Sequence, residues 1–423
     1  MKYPKTVFCV FFVLIISGCV QQSNPPENVS VISGIGKEYD SISAPLIIDG
    51  KIVYEAISRD RGIFIVKGDK EVKEEGIVSS LFKVDGKLGY IVNKGNKQLV
   101  VYDGLRGKEY LTILSGLFEP SPTEIDGKIC YTVSDGNKNF IVCGIQEIGK
   151  EYDSARSPID INGKLAYIAE KDNKTLIVYD NQVIREYDHD YVSWRGLYRI
   201  ESLMEINGKL AYLVEKYPYS SRYYLVYDGK DIGNEYYSIE EPLGIDGKLA
   251  YVAWKNDTSS FVIFDGQELG TEYDGIINIS EIDGKLAYVA LKRMPFKKFV
   301  VYDGQQIGNY EDIDRDSLIE INGKLAFRAE RDTENFIVYD GKEFGNEYNL
   351  IEKPFSLNGK LAFFVLECVS SGMHGTCYEK FFVYDGKEIG KDYEYVHYPI
   401  GVGGKIVYVA VLKNGKNAMV VEG

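Results

Sequence analysis

The side chains that most often carry out catalysis are few in this chain and lie far apart in its sequence. The three histidines are His189, His374 and His397. None of them belongs to an H-E-x-x-H motif, and neither a G-x-S-x-G nucleophile turn nor a phosphate-binding glycine loop occurs. With 63 acidic residues, carboxylate pairs of the kind that glycosidases use are too numerous for one to be singled out. The sequence therefore predicts that the protein is not an enzyme.

Three aspartates give the main indication of a metal site. Asp312, Asp314 and Asp316 alternate as in a calcium-binding loop, but Ser317 stands where such a loop needs glycine. His374 lies near Cys377 without the further ligands that a zinc site needs. We therefore predict no metal and no other cofactor.

Four cysteines are placed to form two disulfides. Cys130 and Cys143 are directly opposed on neighbouring antiparallel strands if their hairpin is centred at 136–137, which brings a non-hydrogen-bonded pair within bridging range. Cys368 and Cys377 flank the longest hairpin loop and would close its base. Free buried thiols at Cys130 and Cys143 are the alternative. Disulfides would fit an oxidising compartment.

The N-terminus has the pattern of a secretory signal. Lys2 and Lys5 precede an apolar run over 7–16, which is shorter than the roughly 20 residues of a membrane-spanning helix. The run ends in Ile16–Cys19 (ISGC), which resembles the lipobox of prokaryotic lipoproteins. The resemblance implies that residues 1–18 are removed, that Cys19 carries lipid, and that the protein is anchored to the cell membrane outside the cytoplasm. An ordinary secretory signal is the alternative.

The segment 19–31 and the overall charge narrow the choice of partners. Residues 19–31 are polar and contain two prolines, so we expect a flexible tether between the lipid and a domain over 32–423. The net charge is −14 at pH 7, and so acidic a chain repels phosphate backbones. We therefore predict a membrane contact through lipid and no nucleic-acid partner.

One sequence motif recurs along the whole chain. A pair of Asp-Gly, Asn-Gly or Gly-Gly followed by lysine marks ten turn glycines, spaced 36 to 45 residues apart: Gly50, Gly86, Gly127, Gly163, Gly208, Gly247, Gly284, Gly323, Gly359 and Gly404. Such a period is typical of repeat architectures. The sequence thus contains ten similar units.

Each unit is predicted to form four short strands, A to D. Asp-Gly or Asn-Gly between apolar residues is a strong hairpin signal, and it falls between strands A and B and again between strands C and D. Strands B (KLAYVA) and C (FIVYD) are apolar on both faces: Leu165 and Tyr167 point one way, Ala166 and Ile168 the other. Such strands must lie between copies of the same unit. The sequence predicts an all-β fold, a β-propeller of ten four-stranded blades.

The two ends of the chain complement each other. The last unit stops after strand C, whereas Ile35–Asp40 (IGKEYD) reads as a strand D with no strand C before it. We expect this N-terminal strand to complete the last blade and close the ring. The same exchange would serve two five-bladed propellers, which are the alternative. The lack of a linker near the fifth unit favours one ring.

The phrase D/N-G-K-L-A-Y, followed by an apolar strand ending in D-G, resembles the WD40-like β-propeller repeats of the TolB type. The resemblance covers residues 32–423 and implies the propeller fold. It implies no particular activity, because propellers carry many unrelated functions.

Antiparallel hairpins divide the predicted connections between two faces of the ring. The A–B and C–D turns form one face, named the tight-turn face, and the B–C and D–A connections form the other, named the variable-loop face. The lysine after each turn glycine, from Lys51 to Lys405, would give the tight-turn face ten amines. An anion-binding ring and solvated hairpin lysines are the two interpretations.

Aromatic residues gather on the variable-loop face of units four to six. They are Tyr191, Trp194, Tyr198, Tyr217, Tyr219 and Trp254. If exposed, they would suit sugar rings or a protein partner; the alternative is that they pack the loops onto the blades. The sequence predicts a non-catalytic binding or scaffolding module for an envelope protein or glycan. A glycan-active enzyme or lectin is the alternative.

Overall fold

The structure, a computed structural model, describes residues 37–114, 122–188, 198–216, 222–369 and 376–422. These ranges form ten antiparallel sheets, the blades: nine pair in the order A-B-C-D, and the tenth has strands A-B-C with a bridge from Tyr39 beside strand C. Within them no helix is long and apolar enough to cross a membrane. The signal peptide, Cys19 and the tether predicted over 1–31 lie outside the described residues.

The strand bounds follow the ten sequence units. In chain order, strand A spans Ser41–Ile42 with Leu46–Ile48, Ile77–Val84, Thr112–Leu114 with Thr123–Ile125, Ser154–Ile161, Tyr198–Ile206, Ser238–Ile245, Gly275–Ile282, Asp312–Ile313 with Ile319–Ile321, Phe355–Leu357 and Tyr395–Val402. Strand B spans Lys51–Ser58, Lys87–Lys94, Lys128–Ser134, Lys164–Lys171, Lys209–Lys216, Lys248–Asn256, Lys285–Arg293, Lys324–Arg331, Lys360–Val369 and Lys405–Val411. Strand C spans Gly62–Lys67, Lys97–Tyr102, Asn139–Cys143, Lys174–Tyr179, Arg222–Tyr227, Ser259–Phe264, Phe296–Tyr302, Glu334–Tyr339, Thr376–Tyr384 and Asn417–Glu422. Strand D of blades 1 to 9 spans Lys70–Glu74, Leu105–Arg106, Gln146–Ile148, Gln182–Asp188, Lys230–Tyr236, Gln267–Leu269, Gln305–Tyr310, Lys342–Phe344 and Lys387–Ile389.

Apolar clusters between neighbouring blades close a single ring. In strand B of blade 4, Tyr167 packs toward blade 3, whereas Ala166 and Ile168 pack toward blade 5. Blade 5 packs on blade 6, and blade 10 packs on blade 1. Two five-bladed rings would instead pack blade 5 on blade 1. The prediction of one ten-bladed propeller is confirmed, and the two-ring alternative is wrong.

The tight turns have the backbone conformation that their sequence predicts. At the A–B turn of blade 4, Asn162 has φ 52° and Gly163 has φ 78°. At the C–D turn of blade 7, Asp303 has φ 50° and Gly304 has φ 72°. Two successive positive φ angles define the type I′ turn, which matches the twist of antiparallel strands and favours Asn-Gly or Asp-Gly.

The N-terminal segment pairs with the last blade. The Tyr39 amide donates to the Asn417 carbonyl at 2.9 Å, and the Asn417 amide donates back at 2.8 Å. The Tyr39 ring lies edge-on to Tyr54 of blade 1, with centroids 6.4 Å apart. For the described part, residues 37–40, the predicted closure by an N-terminal strand is confirmed.

The same tyrosine position joins other blades. Near the end of strand D, Tyr348 packs edge-to-face on Phe363 of the next blade, and its hydroxyl donates to Glu388 at 2.9 Å. The hydroxyl of Tyr110 donates to Glu147 at 2.9 Å in the same way. At these two junctions, as at Tyr39 and Glu71, a tyrosine–carboxylate hydrogen bond joins one blade to the next at the outer side.

The cysteines of blade 3 are joined. Cys130 and Cys143 are directly opposed on strands B and C, with Cα atoms 4.1 Å apart, and form a disulfide. The Gly144 amide donates to the Ile129 carbonyl beside them, which makes theirs the non-hydrogen-bonded pair. This disulfide is confirmed. Cys368 and Cys377 are opposed in the backbone register, and their side chains lie outside the described residues.

Candidate functional site

The lysines of the tight-turn face are paired within their own blades. Lys164 Nζ lies 2.6 Å from the Asp180 carboxylate and 6.0 Å from the centre of the Tyr179 ring. Seven of the ten turn lysines form this ion pair with the aspartate of the C–D turn: Lys87, Lys164, Lys209, Lys248, Lys285, Lys324 and Lys360. Because an aspartate lies beside each of these amines, the arrangement favours the hairpin interpretation over an anion-binding ring.

A cleft of about 500 Å³ opens on the tight-turn face between blades 6 and 7. Its charged lining includes Lys248 and Lys285, which pair with the aspartates of their own C–D turns, Asp265 and Asp303. The same Lys–Asp pair recurs in five other blades. The cleft is therefore a consequence of blade packing rather than a specific site.

Strand A forms the inner wall of the ring, because the A strands of successive blades contact one another while strand D lies at the opposite edge of each sheet. The A–B ladder is interrupted near the middle of strand A in every blade, for example between Glu240 and Leu243. The residue six positions before the turn glycine lies at or next to this interruption, and we name it the bulge position. There Ser157, Glu241 and Tyr398 have φ angles of 57°, 55° and 52°. A bulge of this kind redirects side chains.

The bulge position divides the blades into two groups. It holds alanine or serine in blades 1 to 5 and in blade 8: Ala44, Ser80, Ser157, Ser202 and Ser317, and, by sequence position alone because it lies outside the described residues, Ser121. It holds a larger polar side chain in blades 6, 7, 9 and 10: Glu241, Asn278, Lys353 and Tyr398. The special features of the inner wall are therefore concentrated on the side of blades 6 to 10.

A charged cluster connects the inner strands of blades 6, 7 and 8. Arg315 of blade 8 reaches past blade 7 and donates to Glu240 at 2.9 Å and to Glu241 at 3.3 Å. Glu241 also accepts from the Ile279 amide at 2.9 Å, and the Asn278 amide group donates to the Arg315 carbonyl. Burial raises the pKa of Glu241, and the Ile279 and Arg315 hydrogen bonds oppose that rise. The cluster fixes charges of both signs on the inner wall.

A second cluster lies between blades 9 and 10. His397 Nδ1 is 2.6 Å from Glu379 Oε2, a hydrogen-bond distance, and both side chains are partly exposed. Burial raises the pKa of Glu352, and the negative charge of Glu379 raises it further. Burial also raises the pKa of Tyr398, which is 43% exposed and follows His397. A carboxyl whose pKa is raised thus lies near one that pairs with histidine.

The predicted aspartate loop makes other contacts. Asp312 is paired with Lys298, and Asp314 accepts from the Asp316 amide at 3.2 Å and lies 3.7 Å from Arg328. In the ranges that the structure describes, no three His, Cys, Asp or Glu side chains come together as metal ligands. The Ser317 hydroxyl, at the position where calcium loops have glycine, accepts from the Arg328 amide at 3.0 Å.

The aromatic residues predicted to bind ligand are described only in part. Trp254 lies near the end of strand B of blade 6, where it packs half-buried on the cluster between blades 6 and 7. Its indole N–H is buried and has no hydrogen-bond partner among the described residues. Tyr198 begins strand A of blade 5, and its side chain is outside the description. Tyr191, Trp194, Tyr217 and Tyr219 lie outside the described residues.

A recurrent proline indicates the bulge position in the sequence, whereas the hairpin turns do not. A proline occurs five residues before the turn glycine in six of the ten units: Pro45, Pro122, Pro158, Pro242, Pro354 and Pro399. Proline has no amide hydrogen for a strand ladder, so it marks an interruption. The residue before it is the bulge residue, and its variation from unit to unit could have indicated the inner-wall site.

Comparison with known proteins assigns the chain to no family. No family model matches the chain, and no curated protein matches it. Among solved structures it is similar to a eukaryotic initiation factor, with 10% identity over 80% of this chain and 96% of that chain and a TM-score of 0.43. It is also similar to the Dos1 propeller (11%, 74% and 96%, TM-score 0.34) and to the propeller domain of the Trilobed protease from Pyrococcus furiosus (14%, 73% and 97%, TM-score 0.31).

The strand pairing and the closed ring define the chain as a β-propeller repeat protein with ten blades. The assignment rests on its own sheet topology. The resemblance to the TolB type and the lipoprotein signal remain predictions.

Proposed function

We propose that the protein is a lipid-anchored propeller outside the cytoplasm that binds an envelope protein or glycan without catalysis. The observation that carries the proposal is the bulge position: six blades have alanine or serine there, whereas blades 6, 7, 9 and 10 have Glu241, Asn278, Lys353 and Tyr398. A scaffold needs no such difference between its units. A ligand that enters the ring from the variable-loop face would meet these side chains.

The Glu240–Glu241–Arg315 cluster fits recognition of a polar partner. Its charges are held by hydrogen bonds from two other blades, so little side-chain entropy would be lost on binding. Half of the Arg315 side chain is exposed and can turn toward an acidic or hydroxylated group. The carboxylates would then be available to a donor on the same ligand.

The proposed location has separate support. The disulfide between Cys130 and Cys143 suits an oxidising compartment. The segment Ile16–Cys19 supplies the lipid attachment that the lipobox resemblance implies. Mass spectrometry of the mature protein tests this part by itself, because a lipidated Cys19 at the N-terminus gives a defined mass increase.

Binding can be tested by capture of envelope proteins and glycans on the immobilised full chain. We expect the captured species to be lost with Arg315→Gln and with Glu241→Gln. Arg331→Gln is the matched control, because Arg331 forms a comparable ion pair with Glu343 (2.8 Å) toward the outer strand of the same blade as Arg315. Trp194→Ala with Tyr217→Ala tests the aromatic loops separately. Unchanged capture by Arg315→Gln, by Glu241→Gln and by the Trp194→Ala, Tyr217→Ala variant would refute a ligand site on the inner wall and the variable-loop face.

A glycan-active enzyme is the second candidate, and the cluster between blades 9 and 10 favours it. Glycosidases use one protonated and one ionised carboxyl, and here burial raises the pKa of Glu352 beside Glu379, whose carboxylate pairs with His397. The test is release of reducing ends from cell-wall glycans by the full chain. Activity that disappears in both Glu352→Gln and Glu379→Gln supports an enzyme; no release by the unmodified chain rejects it.

A further inference from the structure

The B–C hairpin of blade 7 has an apolar tip that differs from the other described hairpins of the variable-loop face. Its strands end at Arg293 and resume at Phe296, with Met294 and Pro295 between them. Met294 is 93% exposed and Phe296 is 56% exposed. At the corresponding tips, blade 4 has Asp172-Asn173 and blade 8 has Asp332-Thr333. Both side chains thus present apolar surface to solvent at the end of the hairpin.

The same hairpin is strongly basic in an acidic chain. Lys292, Arg293, Lys297 and Lys298 surround the tip, and no acidic residue occurs over 285–302, although the chain has a net charge of −14. Lys297 and Lys298 pair with Glu311 and Asp312 of the following segment.

The other two cations make different contacts, although the Asp274 carboxylate accepts from the Arg293 backbone amide at 2.7 Å. The Lys292 ammonium lies 5.5 Å from the centre of the Tyr273 ring, and Arg293 donates to the Thr258 carbonyl at 2.9 Å. Within the described ranges neither Lys292 nor Arg293 forms an ion pair with a carboxylate. Both are therefore free to contact anions beyond the protein surface.

The described chain also begins at the variable-loop face. Glu38 accepts from the Asn414 side chain at 3.0 Å, and Asp40 pairs with Lys416 at 3.2 Å, both in the B–C connection of blade 10. Between Cys19 and Lys37 the chain can span roughly 60 Å when extended. A lipid on Cys19 would therefore allow this face to reach the bilayer to which the lipid belongs.

We propose that the tip of the blade 7 hairpin docks on an anionic phospholipid bilayer. Met294 and Phe296 enter the interfacial region, and Lys292 and Arg293 contact lipid phosphates. Apolar side chains beside basic residues are the composition of interfacial membrane-binding segments. A lipid at the end of a flexible tether leaves the orientation of the domain free, so a second, protein-based contact would orient the variable-loop face on the bilayer.

The test uses the mature chain over 19–423 with Cys19→Ser, so that neither the apolar signal nor a lipid contributes and the result is independent of the proposed anchoring and of the ring's ligand. Binding is measured by co-sedimentation with vesicles of phosphatidylcholine alone and with added phosphatidylglycerol. We expect binding to the anionic vesicles, weakened about tenfold or more by Met294→Ser with Phe296→Ser. Lys292→Gln with Arg293→Gln should weaken it about tenfold as well and should also reduce its salt dependence.

The matched control is Lys94→Gln with Lys97→Gln, which removes two exposed cations from the polar hairpin of blade 2 on the same face. It should bind like the Cys19→Ser parent. Equal binding by the parent and the Met294→Ser, Phe296→Ser variant overturns the proposal, as does absence of binding to anionic vesicles. A concentration-dependent dimer that is lost in the Met294→Ser, Phe296→Ser variant would assign the tip to a second copy of the chain instead.

Discussion

The A–B turn at the end of strand A and the bulge position near the middle of that strand differ in how they vary between blades. At the turn, every blade has the turn glycine and a lysine, and in seven blades that lysine pairs with an aspartate of the same blade. At the bulge position, six residues before the glycine, the blades differ. Glu241 at this position accepts hydrogen bonds from Ile279 of blade 7 and from Arg315 of blade 8. The repeated residues build the turns of each blade. The residues that differ between blades lie at the bulge position on the inner wall.

The largest effect is expected from a repeated position in the core. Phe382 in strand C of blade 9 is fully buried and lies edge-on to Tyr408 of blade 10 at 5.5 Å. Phe382→Ala should lower the free energy of unfolding by about 3–5 kcal/mol, because it removes a buried aromatic side chain and leaves a cavity. Denaturant unfolding measures the loss. Val72→Ala, at an exposed valine of strand D, should change it by less than about 0.5 kcal/mol; similar losses in both would contradict the assignment of the core.

A smaller effect is expected at the inner wall. Arg315→Gln should lower the free energy of unfolding by about 1 kcal/mol, because the partly buried carboxylate of Glu241 loses a charged hydrogen bond. The pKa of Glu241 should rise further, since burial raises it and Arg315 lowers it. With a folded-state pKa above that of the unfolded chain, the added loss is present at neutral pH and disappears as the pH falls below the unfolded value of about 4.3.

Arg331→Gln is the control for this prediction. Arg331 and Glu343 are exposed and their ion pair lies within one blade, so the change should be below about 0.5 kcal/mol. If the two substitutions have equal effects at every pH, the inner-wall cluster is energetically no different from a surface ion pair.

The fold could be predicted from the sequence because each unit repeats the same local evidence. The alternation of Leu165, Ala166, Tyr167 and Ile168 predicts burial on both faces, and these residues do divide between two inter-blade clusters. Cys130 and Cys143 are equally far from the predicted centre of their hairpin, which places them directly opposite each other, as in the structure. Local periodicity and turn chemistry suffice where the apolar core of a blade is shared only with its two neighbours.

The candidate site could not be predicted in the same way, because its contacts join residues far apart in sequence. Arg315 meets Glu240, which lies 75 residues earlier, through the curvature of three successive blades. His397 meets Glu379 because strand C of one blade packs on strand A of the next. The proline five residues before the turn glycine indicates where the inner wall is interrupted. It does not indicate which blades will bring their charged residues together.

Glu147, at the outer side of the ring, should make the free energy of unfolding depend on pH in a way that Glu241 on the inner wall does not. Hydrogen bonds from Lys108 and Lys150 lower the pKa of Glu147 to about 2. A lowered folded-state pKa gives stability that is present above the unfolded pKa of about 4.3 and is lost as the pH falls toward 2. Glu147→Gln should remove this part of the acid destabilisation, about 1 kcal/mol after solvent screening. Glu109→Gln, which removes an exposed charge nearby, should keep it; identical acid unfolding curves for the two variants would be the contrary result.

The smallest effect is expected at the most regular feature of the chain, the turn lysine. Lys164→Gln removes one of the seven Lys–Asp pairs, and both partners are about half exposed to solvent. Water and salt screen such a pair, so the Tm should shift by less than about 1 °C, and less still at high salt. A shift of several degrees would mean that the repeated pair stabilises the turn. If the shift is negligible, the lysine recurs for another physical reason: it keeps the outward ends of ten hydrophobic hairpins charged, which opposes their association with other chains.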